Sequence, residues 1–418
     1  MKKGIANDQV LEYIVDNMRK TIKLGPDGLK PIVSPCMDSG FLYFFYWDTY
    51  FANLALFATG DEEQIQNNLD NMKWFVENFG FIPNAYQSKT AEDNETNRSQ
   101  PPLFARGVWD YYCEKQDVEI LKTYLPAMVK EYEFWQTNRS TPCGLNRYYH
   151  HANDEYLSNF YKWIMQRLGL NPALYEDKIG QGAHFLAIAE SGWDFTCRYP
   201  EGDNAYACAH YLPVDLNSIL YDVERIISQA YTLLGDTKKG EEYNQYAKIR
   251  KENINKYLLA GDGMYYDYNF VTEEHSPYVS GASLCPFAFG VSNDVDALDK
   301  TVALLEEEHG ISVCEKKDRD RFDQWDFPSM WPPVVYFCVT ALKRLNSDKF
   351  ERIAKKYLTT VSNVYQQTGA LWEKYNSQTG VVAVTHEYTT PKMMGWTAGV
   401  YTHIVKMLSK KEREDCQK

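Results

Sequence analysis

Long hydrophobic runs are missing. Nowhere in the 418 residues does an apolar stretch approach the ~18 residues that a membrane-spanning helix needs, so no membrane association is expected. Positive charge is also scarce. The chain has 44 basic against 57 acidic residues and a net charge of -13, which argues against the clustered Lys and Arg that a nucleic-acid partner requires. No C-x-x-C pair occurs. The nine cysteines (Cys36, Cys113, Cys143, Cys197, Cys208, Cys285, Cys314, Cys338 and Cys416) lie far apart, as reduced thiols serving as small core hydrophobes do. The start, Met1-Lys2-Lys3-Gly4-Ile5-Ala6-Asn7-Asp8, carries no apolar stretch behind its basic residues, so no secretory leader is expected. Together these features predict a cytoplasmic protein. There is no P-loop, no G-x-G-x-x-G after a strand, no G-x-S-x-G and no H-E-x-x-H. His150-His151 is the only histidine pair. Adjacent side chains cannot share one metal on a helix, so a surface loop is expected and no metal.

What is present in excess is aromatic. Phe, Trp and Tyr make up 15% of the chain, with 32 Tyr. Such side chains join an apolar face to a polar tip, and the surplus suggests a large amphipathic cleft. Helical periodicity is plain in several segments. After a capping-box-like start at Asp61, Ile65, Leu69, Met72, Phe75 and Val76 share a face and Gly80 ends the run. Ile120 to Trp135 and Leu216 to Leu234 repeat the pattern, the latter stopped by Gly235. Further helices are expected over 243–259, 294–308 and 348–367. Strand-like runs are few: Met264-Tyr265-Tyr266 and Val381-Val382-Ala383-Val384. No linker or low-complexity tract divides the chain. The expected fold class is one all-α domain over 1–418, a toroid of paired helices with minor β-hairpin insertions. A compact helical bundle is the alternative.

Five of the ten tryptophans precede an acid: Trp47-Asp48, Trp109-Asp110, Trp193-Asp194, Trp325-Asp326 and Trp372-Glu373. Random placement gives far fewer. The four Trp-Asp pairs are 62, 84 and 132 residues apart, whereas propeller repeats need a steady period of about 40–45. A carbohydrate asks for an apolar platform beside hydroxyl acceptors, and a Trp-acid dipeptide offers both. The surroundings of two pairs strengthen this. Ala189-Glu190-Ser191-Gly192-Trp193-Asp194 places a glycine where the backbone must turn tightly or approach a ligand; if the piece is helical, Glu190 and Asp194 share a face. Asp323-Gln324-Trp325-Asp326-Phe327-Pro328, followed by Trp331-Pro332-Pro333, holds two tryptophans and a Gln–Asp pair on a stiff polar loop. Asn97-Arg98-Ser99-Gln100-Pro101-Pro102 is a third polar, proline-stopped segment.

These stretches, taken in order, resemble the trehalase family of glycoside hydrolases (family 37) and its clan relatives. Those relatives include processing α-glucosidases and the hydrolases of glucosylglycerate and mannosylglycerate. The matching segments begin with Phe44-Phe45-Tyr46-Trp47-Asp48-Thr49-Tyr50, Gly80-Phe81-Ile82-Pro83-Asn84 and the Asn97–Pro102 segment. Glu190-Ser191-Gly192-Trp193-Asp194, Pro213-Val214-Asp215-Leu216-Asn217 and Gln324-Trp325-Asp326 follow. Glu373-Lys374-Tyr375, His386-Glu387-Tyr388 and Gly395-Trp396-Thr397-Ala398-Gly399-Val400 complete the series. The resemblance implies an (α/α)6 toroid and an inverting α-glycosidase that needs no metal and no organic cofactor. Its partner would be a small carbohydrate, a trehalose-like disaccharide or a glucosylglycerate-like compound; a sugar-binding toroid without hydrolysis is the alternative. The oligomeric state stays open, a monomer included. Residue by residue, the resemblance implies Asp194 as general acid and Glu373 as general base. Trp47, Asp48, Asn84, Arg98, Gln100, Trp193, Gln324, Trp325, Asp326, Glu387 and Trp396 would line the sugar pocket. Trp193 would desolvate Asp194 and keep it protonated, while Lys374 would point away from Glu373 if its segment is regular. The family pattern is broken twice. Gly40 and Tyr43 stand where it has an Arg and a Glu, and Ala152-Asn153-Asp154-Glu155 carries no Arg where it has another. The leaving-group side is therefore where this chain is expected to differ.

Overall fold

Fourteen α-helices order the described part of the chain, and each begins or ends where the local chemistry requires. A computed structural model describes residues 8–88, 95–171, 173, 175–201, 205–317, 323–385 and 387–409; Met1 to Asn7, His386 and Cys416 lie outside them. The helices are α1 (Asp8–Asn17), α2 (Tyr46–Thr59), α3 (Glu62–Phe79), α4 (Phe104–Lys115), α5 (Val118–Asn138), α6 (Asp154–Arg167) and α7 (Lys178–Ser191). They continue with α8 (Val214–Leu233), α9 (Thr237–Tyr257), α10 (Cys285–Ala288), α11 (Val295–Leu305), α12 (Pro332–Arg344), α13 (Phe350–Thr368) and α14 (Gly395–Ser409). The periodic segments in the sequence correspond to α3, α5, α8, α9, α11 and α13, but 243–259 and 294–308 overrun: α9 stops at Tyr257, and α11 stops at Leu305, where Glu306–Glu307 turns into a strand. Gly80 caps α3 in the left-handed conformation as expected. The capping box does not form, because the Asp61 carboxylate is held by Arg19 and Thr59 instead.

α2 packs on α4, α4 on α8, α8 on α10, α10 on α12, α12 on α14, and α14 returns to α2. This closes a ring. α3, α5, α9, α11 and α13 pack outside it. The division follows from the sequence: every residue of α2 from Tyr46 to Leu56 is buried, as an inner helix requires, whereas α3 buries one stripe. The architecture is the (α/α)6 toroid.

Among the described residues no strand exceeds two residues. Val381–Val384 forms no strand, and only Val382 bridges to Tyr375. Met264–Tyr266 likewise contributes a bridge at Tyr265, while the strand starts at Tyr268. Residue type misled here: Val381 and Val384 are 47% and 91% exposed, so these β-branched side chains sit in a surface loop with no strand partner to cover them. Two tiny ribbons matter for function. Phe44–Phe45 pairs with Ala85–Tyr86, bringing the start of α2 beside Asn84. Ser329–Met330 pairs with Tyr375–Asn376, bringing the Gln324 loop beside Glu373. His150 and His151 do occupy a loop, but His150 is buried against Tyr149 rather than at the surface. No described helix is long and apolar enough to cross a membrane.

Candidate active site

One cavity of about 1180 Å³ opens at an end of the ring. Its floor is built from indoles. Trp325 stacks on Trp331 at 3.8 Å, and Trp47 and Trp396 pack around Trp325 at 5.8 and 6.4 Å. Trp47 and Asp48 enter from the first turn of α2, whose Trp47 N–H donates to Gln100 Oε1 at 3.0 Å. That bond fixes Gln100 at the wall. Asn84 is fixed by its own amide, which donates to the Ser99 and Ala189 carbonyls. Arg98 is 4% exposed; it pairs with Glu95 at 2.7 Å, and its Nε has no partner among the described residues. Beneath this segment Glu190 is wholly buried. It takes both prongs of Arg139 and accepts the Ser99 and Tyr149 N–H groups. Glu190 is thus a structural anchor for Arg98 to Gln100.

Asp194 and Glu373 line this same cavity. α7 ends at Ser191, and Gly192 takes φ 76°, so the chain leaves the helix before Asp194. Glu190 and Asp194 therefore do not share a face. A Cβ on Gly192 would stand 2.8 Å from Trp47 Cζ2. Gly192→Ala is expected to cost about 2–4 kcal/mol, from a left-handed backbone plus overpacking. Urea unfolding checks it, and an unchanged midpoint would refute the constraint. The Asp194 side chain is 31% exposed and lies 3.3 Å from Arg167. Glu373, 2% exposed, accepts from Lys374 Nζ and from the Tyr388 hydroxyl, both at 2.8 Å. Burial raises its pKa, and Lys374 and Tyr388 work against that rise. The backbone bends at Glu373, so Lys374 folds back onto its neighbour and onto Gln324 Oε1 at 3.1 Å. The expectation that Lys374 points away fails because the segment is not regular.

Gln324 also donates its side-chain amide to the Asp194 carbonyl and its backbone N–H to Glu387 Oε1. Glu387 is clasped by Arg167 at 3.0 Å and is pushed up to about 7, chiefly by burial against the pull of Arg167. Asp48 is pushed up to about 8 by burial, then by Glu373 and Asp194. Burial and the neighbouring carboxylates thus favour the protonated forms of Asp48 and Glu387.

Trp193 and Asp326 are corrections: neither lines the cavity. Trp193 is fully buried, 5.1 Å from Trp325 and under the Arg198 guanidinium; it does not wall Asp194, whose partner is Arg167. Asp326 accepts the Cys197 and Asp323 N–H groups and so caps its own loop. Side chains adjacent in a chain diverge. Only Trp47–Asp48 presents both members of a Trp-acid pair; the other cavity pairs send one inward, and Asp110 binds Tyr50 and Arg106 at a half-buried position away from the cavity. Cys197, Cys314 and Asp326 also converge, with sulfurs 3.5 Å apart. The carboxylate already serves two loop amides, and the three residues lie outside the cavity.

Arg167 and Tyr388 are the residues that sequence reasoning missed. Arg167 enters the cavity wall from the last turn of α6, the helix that follows the Ala152 segment. The faint signal was the row Tyr156, Phe160, Trp163, Arg167 at helical spacing, which reads equally as a surface stripe.

Comparison with known proteins bears on the family and the fold. The model of the family described as Trehalase matches residues 30–409. A periplasmic trehalase of Pseudomonas aeruginosa is 28% identical over 410 residues, covering 91% of this chain and 72% of that protein. One from Escherichia coli is 28% identical over 415 residues, covering 93% and 71%. In fold, the neutral trehalase of Saccharomyces cerevisiae superposes with TM-score 0.73 at 20% identity, over 100% of this chain and 82% of that one. A GH63 mannosylglycerate hydrolase from Thermus thermophilus superposes with TM-score 0.66 at 13% identity, over 95% and 100%. With its toroid, its cavity and a family match along nearly its whole length, the chain belongs to the trehalase family and is a glycoside hydrolase.

Proposed function

We propose that this single-domain chain hydrolyses a small α-glucoside, trehalose-like or glucosylglycerate-like, with inversion at the anomeric carbon. Asp194 delivers its proton to the glycosidic oxygen as the bond to the anomeric carbon breaks. Glu373 takes a proton from the water that attacks the opposite face, leaving a β-anomer and an alcohol. The observation that carries this is the meeting of Asp194 and Glu373, remote in sequence, in one cavity, each beside a different cation. The Lys374 ammonium and Tyr388 hydroxyl favour the ionised Glu373 that a base requires. Trp47, Trp325 and Trp396 offer the apolar faces for a pyranose. Arg98 Nε, Asp48, Gln100, Asn84, Gln324 and Glu387 offer hydrogen-bonding groups to its hydroxyls.

The test is to incubate the protein with trehalose, kojibiose and glucosylglycerate and to read the anomeric protons by NMR in the first minutes. Glucosylglycerate is expected to yield β-glucose first, and trehalose equal β- and α-glucose, because its leaving glucose keeps the α configuration. α-Glucose alone from either would remove the inverting mechanism, and no release from any α-glucoside would remove the proposal. We further propose a cytoplasmic setting, because none of the eight described cysteines is in a disulfide. The bacterial relatives named above are periplasmic by name, and cell fractionation separates the two.

A further inference from the structure

Helix α6 does more than deliver Arg167. Its residues Tyr156, Asn159, Phe160, Trp163, Gln166 and Arg167 all face the cavity. The rings form a row, Tyr156 to Phe160 at 5.9 Å and Phe160 to Trp163 at 5.6 Å. Yet Tyr156 and Trp163 remain 39% and 53% exposed. A large ring left half in water gains little from packing, so the core does not account for its place. The row also has a direction. The Arg167 guanidinium lies 5.7 Å from the Trp163 ring and 3.3 Å from Asp194 Oδ2. The aromatics therefore start beside the proposed proton donor, on the side where the leaving group departs. Across the cavity, Phe41 and Tyr43 pack on Phe45 at 5.4 and 4.7 Å, at the stretch where the family pattern loses charge.

Volume points the same way. The cavity of about 1180 Å³ exceeds the roughly 300–1,000 Å³ of a pocket for one drug-sized ligand, and a disaccharide does not fill it. Charge narrows the choice of ligand. Both arginines described in the wall are engaged, Arg98 by Glu95 and Arg167 by Asp194 and Glu387. Beyond the leaving-group position they leave little positive charge for an anionic group. The Asn159 and Gln166 amides on the same wall suit hydroxyls better than an alkyl or aryl group.

Building on the proposed α-glucosidase reading, we infer that the α6 aromatic row is a subsite for an additional neutral pyranose beyond the leaving group, so that an α-linked trisaccharide is held more tightly than its disaccharide. The C–H face of that sugar stacks on Trp163 and Tyr156, while its hydroxyls reach the neighbouring amides. The experiment is calorimetric titration of a Glu373→Gln variant, in which cleavage does not interfere, with α-linked glucose disaccharides and trisaccharides of matching linkage. For at least one linkage the trisaccharide is expected to bind about tenfold more tightly. Adding Trp163→Ala is expected to erase that gain while the disaccharide is held as before. Half-exposed Trp163 tolerates this change, and circular dichroism verifies the fold. The inference is overturned if no trisaccharide binds better than its disaccharide, if the gain survives Trp163→Ala, or if both ligands weaken together. Failure of the hydrolytic reading shows separately, as absence of turnover in the unmodified chain.

Discussion

Asp194→Asn is expected to lower kcat on an ordinary α-glucoside by about 10²–10⁴-fold, the usual contribution of a positioned proton donor. Glu373→Gln is expected to do at least as much, because the attacking water then has no base. The two losses differ in kind. A substrate whose leaving group departs without a proton, such as an α-glucosyl fluoride, recovers much of the rate with Asp194→Asn. It recovers none with Glu373→Gln. Neither change should unfold the chain. Asp194 is partly exposed, and Arg167 keeps Glu387 when it is replaced. The glutamine amide at 373 keeps an oxygen for Lys374 and Tyr388 to reach. Steady-state kinetics on the two substrate types, with circular dichroism as the fold control, decides the matter. Retained turnover on the ordinary substrate would strip that residue of its role, and equal rescue of both variants would reverse or void the assignment.

The second large effect is expected at Lys374, which touches Glu373 but not the reacting atoms. Its ammonium is fully buried, 2.8 Å from Glu373 Oε2 and 3.1 Å from Gln324 Oε1, with its charge over the Trp331 and Tyr388 rings. Burial pushes the Glu373 pKa up, and Lys374 is the strongest force holding it down. In Lys374→Met the carboxylate keeps only the Tyr388 hydroxyl, so its pKa rises and its ionised fraction at neutral pH falls. The acid limb of the kcat/KM profile should move upward by about one pH unit or more. At pH 7 the rate should drop as the ionised fraction of Glu373 falls, and it should recover partly in alkali. Lys374→Arg, which keeps the charge, should hold the limb near its original place. A lysine that merely filled space would leave the profile where it was, so an unmoved limb refutes the tuning role.

The sequence made the helices legible because each carries its own evidence: Ile65 to Val76 on one face with Gly80 behind them, Leu216 to Leu234 with Gly235. Asp194 and Glu373 were legible only through the order of motifs that the family shares. The pairing of Trp with acid misled in part. It treated neighbours in the chain as neighbours in space, and Trp193 and Asp326 turned away from the cavity. Lys374 was misjudged for a related reason, since a bend at Glu373 cannot be read from residue types that also suit an extended strand.

Left to itself, the amino-acid order determined an all-helical chain with a buried inner set and a striped outer set, since burial periodicity is a local property. It also determined which carboxyls and indoles were available. Which of them face one another was decided only when α14 closed on α2 and two-residue ribbons drew Asn84 and Glu373 to the cavity wall. Arg167, Tyr388 and Lys374 acquired partners in that step. Charge pairing acts over a few ångströms, and separation along a chain says nothing about such distances until the ring is shut.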